Sequence, residues 1–262
     1  MRAGVAGLAA AVLGICGCAA AEGSHVPVAP SSATPSSVAS SSAALSPAAP
    51  SSAALFSAAP AARPAAAVTS AAQGTGSQLV TVTAASYRAT QAEFTAYRRA
   101  GGRWHRVFGP WVAWIGRDGM APPGAKREGD GRTPSGTFGF GFFFGVDPNP
   151  GVLFPYRRVD ASDFWDDDPS SPLYNLWVDD RDANPGADPE PMDVSAYDYG
   201  AVIGYNTART PRLGSAIFLH ISIGMPTAGC VTLPVGELLE VLRWLNPAAS
   251  PRIAIGAPAR EG

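Results

Sequence analysis

Cysteine is scarce in this chain: only 3 of its 262 residues are cysteine, and two of them, Cys16 and Cys18, lie near the N-terminus. Cys230 therefore stands alone in the rest of the chain. This distribution excludes a disulfide framework for a folded domain. A lone thiol in an oxidising compartment is a hazard unless it is buried, paired with another chain or used in chemistry.

The sequence also lacks an excess of charge of either sign. The formal net charge is −2, and there is no basic run and no basic patch with interleaved aromatic residues. A chain of this kind has no global field that attracts polyanions. We therefore predict no nucleic-acid partner.

The N-terminus has an apolar run, but one too short for a membrane-spanning helix of about 20 residues. Met1-Arg2 followed by Ala3 to Ile15 is typical of a secretory signal peptide, which we place at residues 1–21. Ile15-Cys16-Gly17-Cys18 resembles a bacterial lipoprotein box with Cys18 as the lipidation site, whereas Ala19-Ala20-Ala21 offers a cleavage site that would release a soluble protein. We favour the lipoprotein, so membrane contact is predicted only through a lipid on Cys18.

Residues 22–77 lack the large apolar side chains that a packed core needs. Between Ser31 and Pro60 the chain is almost entirely Ser, Ala and Pro, and Arg63 is the one charged residue between Glu22 and Arg88. Such a composition cannot offset the entropy of ordering, and its prolines favour extended stretches. We predict a disordered tether, which is either a spacer that lifts the folded domain from a membrane into the wall or a leader whose length does not matter.

Residues 78–258 carry the periodic patterns of one folded domain. Alternating segments predict strands, Gly101-Gly102 predicts a hairpin turn, and Glu237–Leu245 shows the one helical stripe, with Leu238, Leu239, Leu242 and Leu245. The predicted strands are Leu79–Thr83, Ala92–Tyr97, Trp104–Phe108, Trp111–Ile115, Thr137–Phe144, Ala201–Tyr205, Ala216–Ser222 and Arg252–Gly256. In Thr137–Phe144 the alternation puts Phe138, Phe140, Phe142 and Phe144 on one face. The domain is predicted to be mainly β with few helices.

The stretch from Asp147 to Tyr199 shows no periodicity and is rich in Asp, Pro, Trp and Tyr. We predict a long functional loop or lid here. Asp180, Asp182 and Asn184 have the spacing of the first ligands of a calcium loop, but the glycine comes one residue late and Pro191 stands in place of the final glutamate. Solvated aspartates are the favoured interpretation.

One segment concentrates residues with chemical potential. A predicted strand ends near His220, and a short Gly/Pro loop leads to Gly229-Cys230, ten positions later. An imidazole can take the proton of a thiol and return it to a leaving amine, and the amides of Gly229 and Cys230 could bind an oxyanion. The group that orients the imidazole is left open between a backbone carbonyl near Ile221 and the Ser222 hydroxyl.

The alternatives to catalysis are structural. A lone cysteine is often a small buried hydrophobe, and a lone histidine in a strand is often a hydrogen-bonded core residue. Zinc is disfavoured, because His105 and His220 are the domain's two histidines and form no tight ligand cluster with Cys230. No metal site is predicted.

Three motifs in the same order resemble the L,D-transpeptidases of the YkuD (ErfK/YbiS) family, in an actinobacterial-type subgroup with a Pro-Thr-Ala-Gly-Cys loop. They are Lys126 to Phe138 (the K-x-x-G-D-x-x-T-P-x-G-x-F pattern, which by itself favours a structural turn), Val202 to Asn206, and Thr227-Ala228-Gly229-Cys230 with His220 upstream. The chain departs from the family where Ala228 replaces a second histidine and Thr232 stands near a usual arginine. Its spacing from His220 to Cys230 is also shorter.

The resemblance implies a β-sandwich or open barrel with the active site under a flap, a thioester on Cys230, His220 as base and no cofactor. It further implies peptidoglycan stem peptides as partners: a tetrapeptide donor that loses D-alanine, and an amine acceptor on another stem or wall protein. An exported, envelope-located L,D-transpeptidase is the leading hypothesis. An L,D-carboxypeptidase that uses water as acceptor, and a non-catalytic wall-binding lipoprotein, remain as alternatives.

Overall fold

The computed structural model describes residues 76–258. The predicted signal peptide, the Cys18 lipidation site and nearly all of the tether lie outside the described residues, so these assignments and the domain boundaries stay predictions. Within the described part the prediction of a mainly β domain with few helices is confirmed, because strands dominate and one α-helix is present.

The described strands form one large sheet and two small ones. The bounds are β1 Gln78–Ala84, β2 Gln91–Ala100, β3 Arg103–Trp114, β4 Met120–Ala121, β5 Thr133–Pro134, β6 Gly136–Phe138, β7 Phe140–Gly145, β8 Tyr156–Arg158, β9 Asp163–Asp166, β10 Leu176–Asp179, β11 Glu190–Pro191, β12 Gly200–Ile203, β13 Phe218–Ile221, β14 Val231–Leu233 and β15 Arg252–Gly256; the helix α1 is Val235–Trp244.

The large sheet has ten strands in the order β6-β15-β1-β2-β3-β14-β13-β12-β7-β8 and curls into an open half-barrel. Most neighbours run antiparallel, but β13 and β14 are parallel, as are β1 with β15 and β7 with β8. The pair β13 and β14 lies in the middle of this sheet. Their residues are therefore held by hydrogen-bonded strands on both sides.

The helix α1 covers the main apolar core. Its buried side chains are Leu238, Val241 and Leu242, and Leu245 follows at the end, all in one cluster with the sheet. The predicted stripe had Leu239 in place of Val241, and Leu239 is only half-buried. The helix stops before Asn246, as predicted, since Pro247 cannot extend it.

The first hairpin is longer and more continuous than predicted. β2 and β3 meet at Gly101-Gly102, as expected, but β3 runs through Gly109-Pro110 instead of breaking into two strands. The pairing absorbs the interruption by register shifts between Phe94 and Tyr97. Bulges of this kind allow a strand to continue past residues that cannot join the ladder.

The prediction of four phenylalanines on one face was wrong. The chain breaks between β6 and β7 at Gly139, and the two strands pair with different partners. Phe138 and Phe140 pack on the main core, whereas Phe142 and Phe144 belong to a second apolar cluster that also contains Phe218 and Cys230. The change of cluster falls inside β7, where the register against β12 shifts between the pairs Ala201–Phe143 and Ile203–Phe140, so that β7 does not keep one regular alternation.

The prediction of a long loop between Asp147 and Tyr199 was also wrong. The segment contains β8, which extends the large sheet, and a separate three-stranded sheet in the order β10-β9-β11. Trp165 donates a hydrogen bond from Nε1 to Asn175 Oδ1 (3.0 Å), and its ring packs edge-to-face on Phe218. This small sheet therefore docks against the strand that carries His220.

Candidate functional site

His220 and Cys230 lie on the two parallel strands at the middle of the large sheet. His220 is in β13, and Cys230 directly precedes β14. The register aligns Leu219 with Val231 and His220 with Thr232. The pairing thus brings the two predicted site residues into the wall of one cavity of about 310 Å³.

Backbone carbonyls fix the imidazole of His220. Its Nδ1 lies 3.0 Å from the carbonyl oxygen of Ile221 and 3.2 Å from that of Ala196. Carbonyls only accept, so Nδ1 carries the proton and Nε2 is left unprotonated. Of the two groups left open by the sequence, the Ile221 carbonyl is the one engaged; the Ser222 hydroxyl instead accepts from the Gly224 N–H.

The environment of His220 disfavours its protonated form. The side chain is only 8% exposed, and the ring of Tyr197 meets it edge-on at 4.9 Å between centroids. Burial lowers the pKa of His220 to about 4, in spite of the opposing effect of the two carbonyls. The imidazole is therefore neutral at pH 7 and able to accept a proton.

The thiol of Cys230 is held by backbone groups of the strand beside it. Phe218 N–H donates to Sγ and Sγ–H donates to the Ala216 carbonyl, both at 3.3 Å. Burial, and to a lesser extent the Glu190 carboxylate, raises the pKa of the thiol. Among the described contacts no hydrogen bond joins Sγ to His220. The resting pair is thus a neutral thiol and a neutral imidazole on one cavity wall.

Thr227 organises the loop before the cysteine. Its hydroxyl donates to the Cys230 carbonyl (2.7 Å) and accepts from the Gly229 N–H (3.1 Å). The Gly229 amide, predicted as an oxyanion donor, is therefore engaged in the resting structure. Glycine is required at this position because φ is +156° and a Cβ would lie 3.0 Å from the Arg132 carbonyl oxygen.

The motif from Lys126 to Phe138 forms the support beneath this loop. Lys126, 4% exposed, places Nζ 2.6 Å from Asp130 Oδ1, and Asp130 also accepts from the N–H groups of Arg127 and Arg132. Thr133 accepts from the Gly116 N–H (2.8 Å) and lies 3.5 Å from the Cys230 carbonyl oxygen. The contacts agree with the structural role that the sequence favoured for this motif.

Three carboxylates in the same cavity were not predicted. Glu128, Asp167 and Glu190 line it together with Tyr197, His220 and Cys230. The first lies inside a motif interpreted as a turn. The other two come from the segment without periodicity, where no pattern could tell a cavity-facing residue from a solvated one.

These carboxylates have perturbed acidity. Burial, with a contribution from Glu128, raises the pKa of Asp167 to about 6, and burial raises that of Glu190 to about 7 although the Tyr197 hydroxyl donates to it. Glu128 accepts from the hydroxyls of Tyr174 and Ser215. The cavity is thus acidic but poorly solvated.

Residues 76–258 contain neither a cluster of metal ligands nor a membrane-spanning helix. No group of three or more His, Cys, Asp or Glu side chains in this range is placed to hold a metal ion. Asn184 Oδ1 accepts from the Gly186 N–H, which is ordinary loop capping. Within the same range no helix has the length and apolar character needed to cross a membrane.

One solved structure resembles this chain. The chain is similar to the helical cell shape determining protein Pgp2 from Campylobacter jejuni, with 13% identity and a TM-score of 0.37 over 71% of this chain and 49% of that protein. It therefore spans about half the length of that protein. No protein-family model and no curated protein matches. So low a TM-score does not establish a shared fold, and function has to be argued from the site.

Proposed function

We propose that the protein is an exported cysteine acyltransferase that acts on peptidoglycan stem peptides, an L,D-transpeptidase with Cys230 as nucleophile and His220 as base. The observation that carries the proposal is the shared cavity of a lone thiol and an imidazole whose Nδ1–H is fixed by two carbonyls. This arrangement leaves Nε2 as the proton acceptor, as nucleophilic catalysis by cysteine requires. The resemblance of the three sequence motifs supplies the substrate class.

The first half-reaction follows from these roles. Nε2 of His220 takes the thiol proton while Sγ attacks the carbonyl carbon of the third residue of the donor stem, which is bonded to the D-alanine nitrogen. The tetrahedral intermediate then collapses, the C–N bond breaks, and the imidazolium returns the proton to the departing D-alanine nitrogen. The stem acyl group is left as a thioester on Sγ. Because thiol and imidazole start neutral, the proton moves as the S–C bond forms.

The second half-reaction restores the thiol. An acceptor amine attacks the thioester carbonyl, gives a proton to Nε2 and forms the new amide, and the sulfur leaves and recovers that proton. Water in place of the amine would release the stem as a tripeptide, which is L,D-carboxypeptidase activity. In either case the oxyanion is proposed to accept hydrogen bonds from the Cys230 N–H and the Gly229 N–H. The Gly229 N–H must then leave the Thr227 hydroxyl, to which it donates in the resting structure.

No metal or organic cofactor enters this scheme, because the residues present supply nucleophile, base and orienting groups. We place the protein in the cell envelope, at the outer face of the cytoplasmic membrane or in the wall, with Cys18 as the proposed lipid attachment. The predicted tether would let the catalytic domain reach stems at a distance from that anchor.

Product analysis tests the proposal. Purified full-length protein is incubated with a disaccharide-tetrapeptide, and products are separated by liquid chromatography with mass detection. A cross-linked dimer with release of D-alanine is expected, and Cys230→Ala and His220→Asn should abolish it. His105→Asn is the matched control, since His105 is exposed on β3 outside the cavity.

Other outcomes separate the alternatives. Tripeptide without dimer, even with excess acceptor, would replace transfer by hydrolysis. Intact tetrapeptide after prolonged incubation with folded protein would contradict an enzyme and leave a wall-binding role.

A further inference from the structure

The cavity that holds the thiol has carboxylates but no lysine or arginine in its lining. Glu128 enters from the loop after Lys126, Asp167 follows β9, and Glu190 begins β11. Lys126, the nearby buried cation, is already committed to Asp130 at 2.6 Å. The lining therefore holds three carboxylates, and no lysine or arginine in it balances the charge of their ionised forms.

The three carboxylates influence one another across the cavity. The charges of Asp167 and Glu128 add to burial in raising the pKa of Glu190, and Glu128 adds to burial in raising that of Asp167. Poorly solvated anions that repel one another either take up protons, which is what the raised pKa values of Asp167 and Glu190 express, or are joined by a positive group. A bound cation would relieve this cost.

The spacing of the carboxylates argues for an organic cation. Among the described residues no set of three acidic, histidine or cysteine side chains converges closely enough to hold a metal ion. A primary ammonium differs from a divalent metal in this respect. It donates up to three hydrogen bonds and needs no closed shell of ligands.

A second, independent feature indicates a ligand in the same cavity. Thr232 is 2% exposed, lines the cavity and lies beside His220 in the register of β13 and β14. Its hydroxyl is buried and has no hydrogen-bond partner. Buried hydroxyls without a partner are rare and costly in folded proteins, and a polar ligand atom would satisfy this one.

We propose that this cavity is a binding subsite for a primary ammonium group of the peptide substrate, held by Asp167 and Glu190 with Glu128 nearby, while Thr232 hydrogen-bonds a polar atom of the same ligand. The inference rests on the proposed function, because it assumes that the peptide attacked by Cys230 occupies this cavity. The ammonium could belong to the donor stem or to the amine acceptor. The chemistry of recognition is the same for both.

Binding without turnover tests the subsite directly. Full-length Cys230→Ala protein is titrated calorimetrically with N-acetyl-L-Ala-γ-D-Glu-L-Lys-D-Ala, in which the lysine carries the one free amine, and with the same peptide also acetylated on that amine. We expect the free amine to bind at least about tenfold more tightly, the size of one charged hydrogen bond. Adding Asp167→Asn and Glu190→Gln should reduce the difference to less than about twofold.

The control removes two carboxylates elsewhere. Asp182→Asn with Glu240→Gln alters two exposed residues outside the cavity and should leave the tenfold preference intact. Equal affinity of the two peptides, no measurable binding of either, or a preference that survives Asp167→Asn with Glu190→Gln would overturn the subsite. Circular dichroism confirms that each variant is folded.

Kinetics on protein with Cys230 intact distinguish the two sources of the ammonium. If it belongs to the donor, acetylation of the donor and the double substitution both slow acylation of Cys230. If it belongs to the acceptor, acylation is unchanged and transfer to amine falls relative to hydrolysis. Acylation of Cys230 together with equal binding of the two peptides in calorimetry refutes the subsite alone. Tighter binding of the free-amine peptide without any acylation of Cys230 refutes the proposed function alone.

Discussion

The buried ion pair beneath the cysteine loop gives the most quantitative prediction. Lys126 and Asp130 have side chains that are 5% and 19% exposed, with 2.6 Å between Nζ and Oδ1. Asp130→Asn removes the anion and leaves Lys126 as a buried cation whose other hydrogen bond is to the Arg127 carbonyl (3.0 Å). Leaving a buried charge uncompensated costs about 3–5 kcal/mol, and we expect a loss in the free energy of unfolding of that size.

The reciprocal substitution should cost less. Lys126→Met leaves an Asp130 carboxylate that still accepts from two backbone N–H groups and reaches solvent. We expect a loss of about 1–3 kcal/mol, as for a hydrogen-bonded group that loses one partner. The double variant should be more stable than Asp130→Asn alone, because it no longer contains the unpaired cation.

Urea unfolding followed by tryptophan fluorescence measures these differences. Arg181→Gln, which removes an exposed pairing with Asp160 and Asp179, is the control and should leave the unfolding free energy within error. Losses below about 1 kcal/mol for both Lys126→Met and Asp130→Asn, the size typical of surface pairs, would refute the reasoning. So would a larger loss for Lys126→Met than for Asp130→Asn.

The same pair predicts a pH dependence. Burial alone would raise the pKa of Asp130, but hydrogen bonds from Lys126 and from the N–H groups of Arg127 and Arg132 hold it below its ordinary value. A lowered pKa contributes stability above the ordinary value of about 4, and this contribution is lost as pH falls through the lower folded value. The advantage of wild type over Asp130→Asn should therefore shrink below about pH 4.

Three further predictions concern the site. Since the pKa of His220 is about 4, kcat/KM for donor acylation by Asp167→Asn with Glu190→Gln, which lacks the carboxylates whose pKa values are about 6 and 7, should fall on the acid side near pH 4. A fall in this variant near the ordinary histidine value of about 6.5 would contradict the buried neutral imidazole. Thr133→Val leaves the buried Gly116 N–H without its acceptor and should cost about 1–3 kcal/mol of stability, while Thr137→Val, at an exposed position of β6, should cost nothing measurable. Gly229→Ala places a Cβ against the Arg132 carbonyl and Ile217, so it should lower the free energy of unfolding by about 1–3 kcal/mol and slow acylation of Cys230. Gly236→Ala, whose Cβ meets open space, should do neither, and equal behaviour of the two variants would refute the close approach at Gly229.

Features with local causes were predictable from the sequence. Period-two alternation located β1 and β2, Gly101-Gly102 located the hairpin of β2 with β3, and the leucine stripe located α1 to within a few residues. His220 and Cys230 could be singled out because they are close in sequence and their residue types are rare in the chain. Their position on one wall of the cavity follows from the parallel pairing of two adjacent strands.

Features with long-range causes were not predictable in this way. The faces of Phe138 to Phe144 depend on a register shift between β7 and β12, which lies between Phe140 and Phe143. Asp167 and Glu190 reach the cavity because the small sheet of β9, β10 and β11 docks against β13. No spacing along the chain encodes that docking, and the carbonyl of Ala196, which holds His220, arrives by the same route.

Intact-mass spectrometry of the full-length protein with a disaccharide-tetrapeptide tests the central claim most directly. The account predicts a covalent stem-acyl adduct, with loss of D-alanine, that maps to Cys230 and is absent from Cys230→Ala and His220→Asn but present in His105→Asn. A folded protein that forms no adduct with stem peptides, or one whose adduct persists in Cys230→Ala, would contradict it.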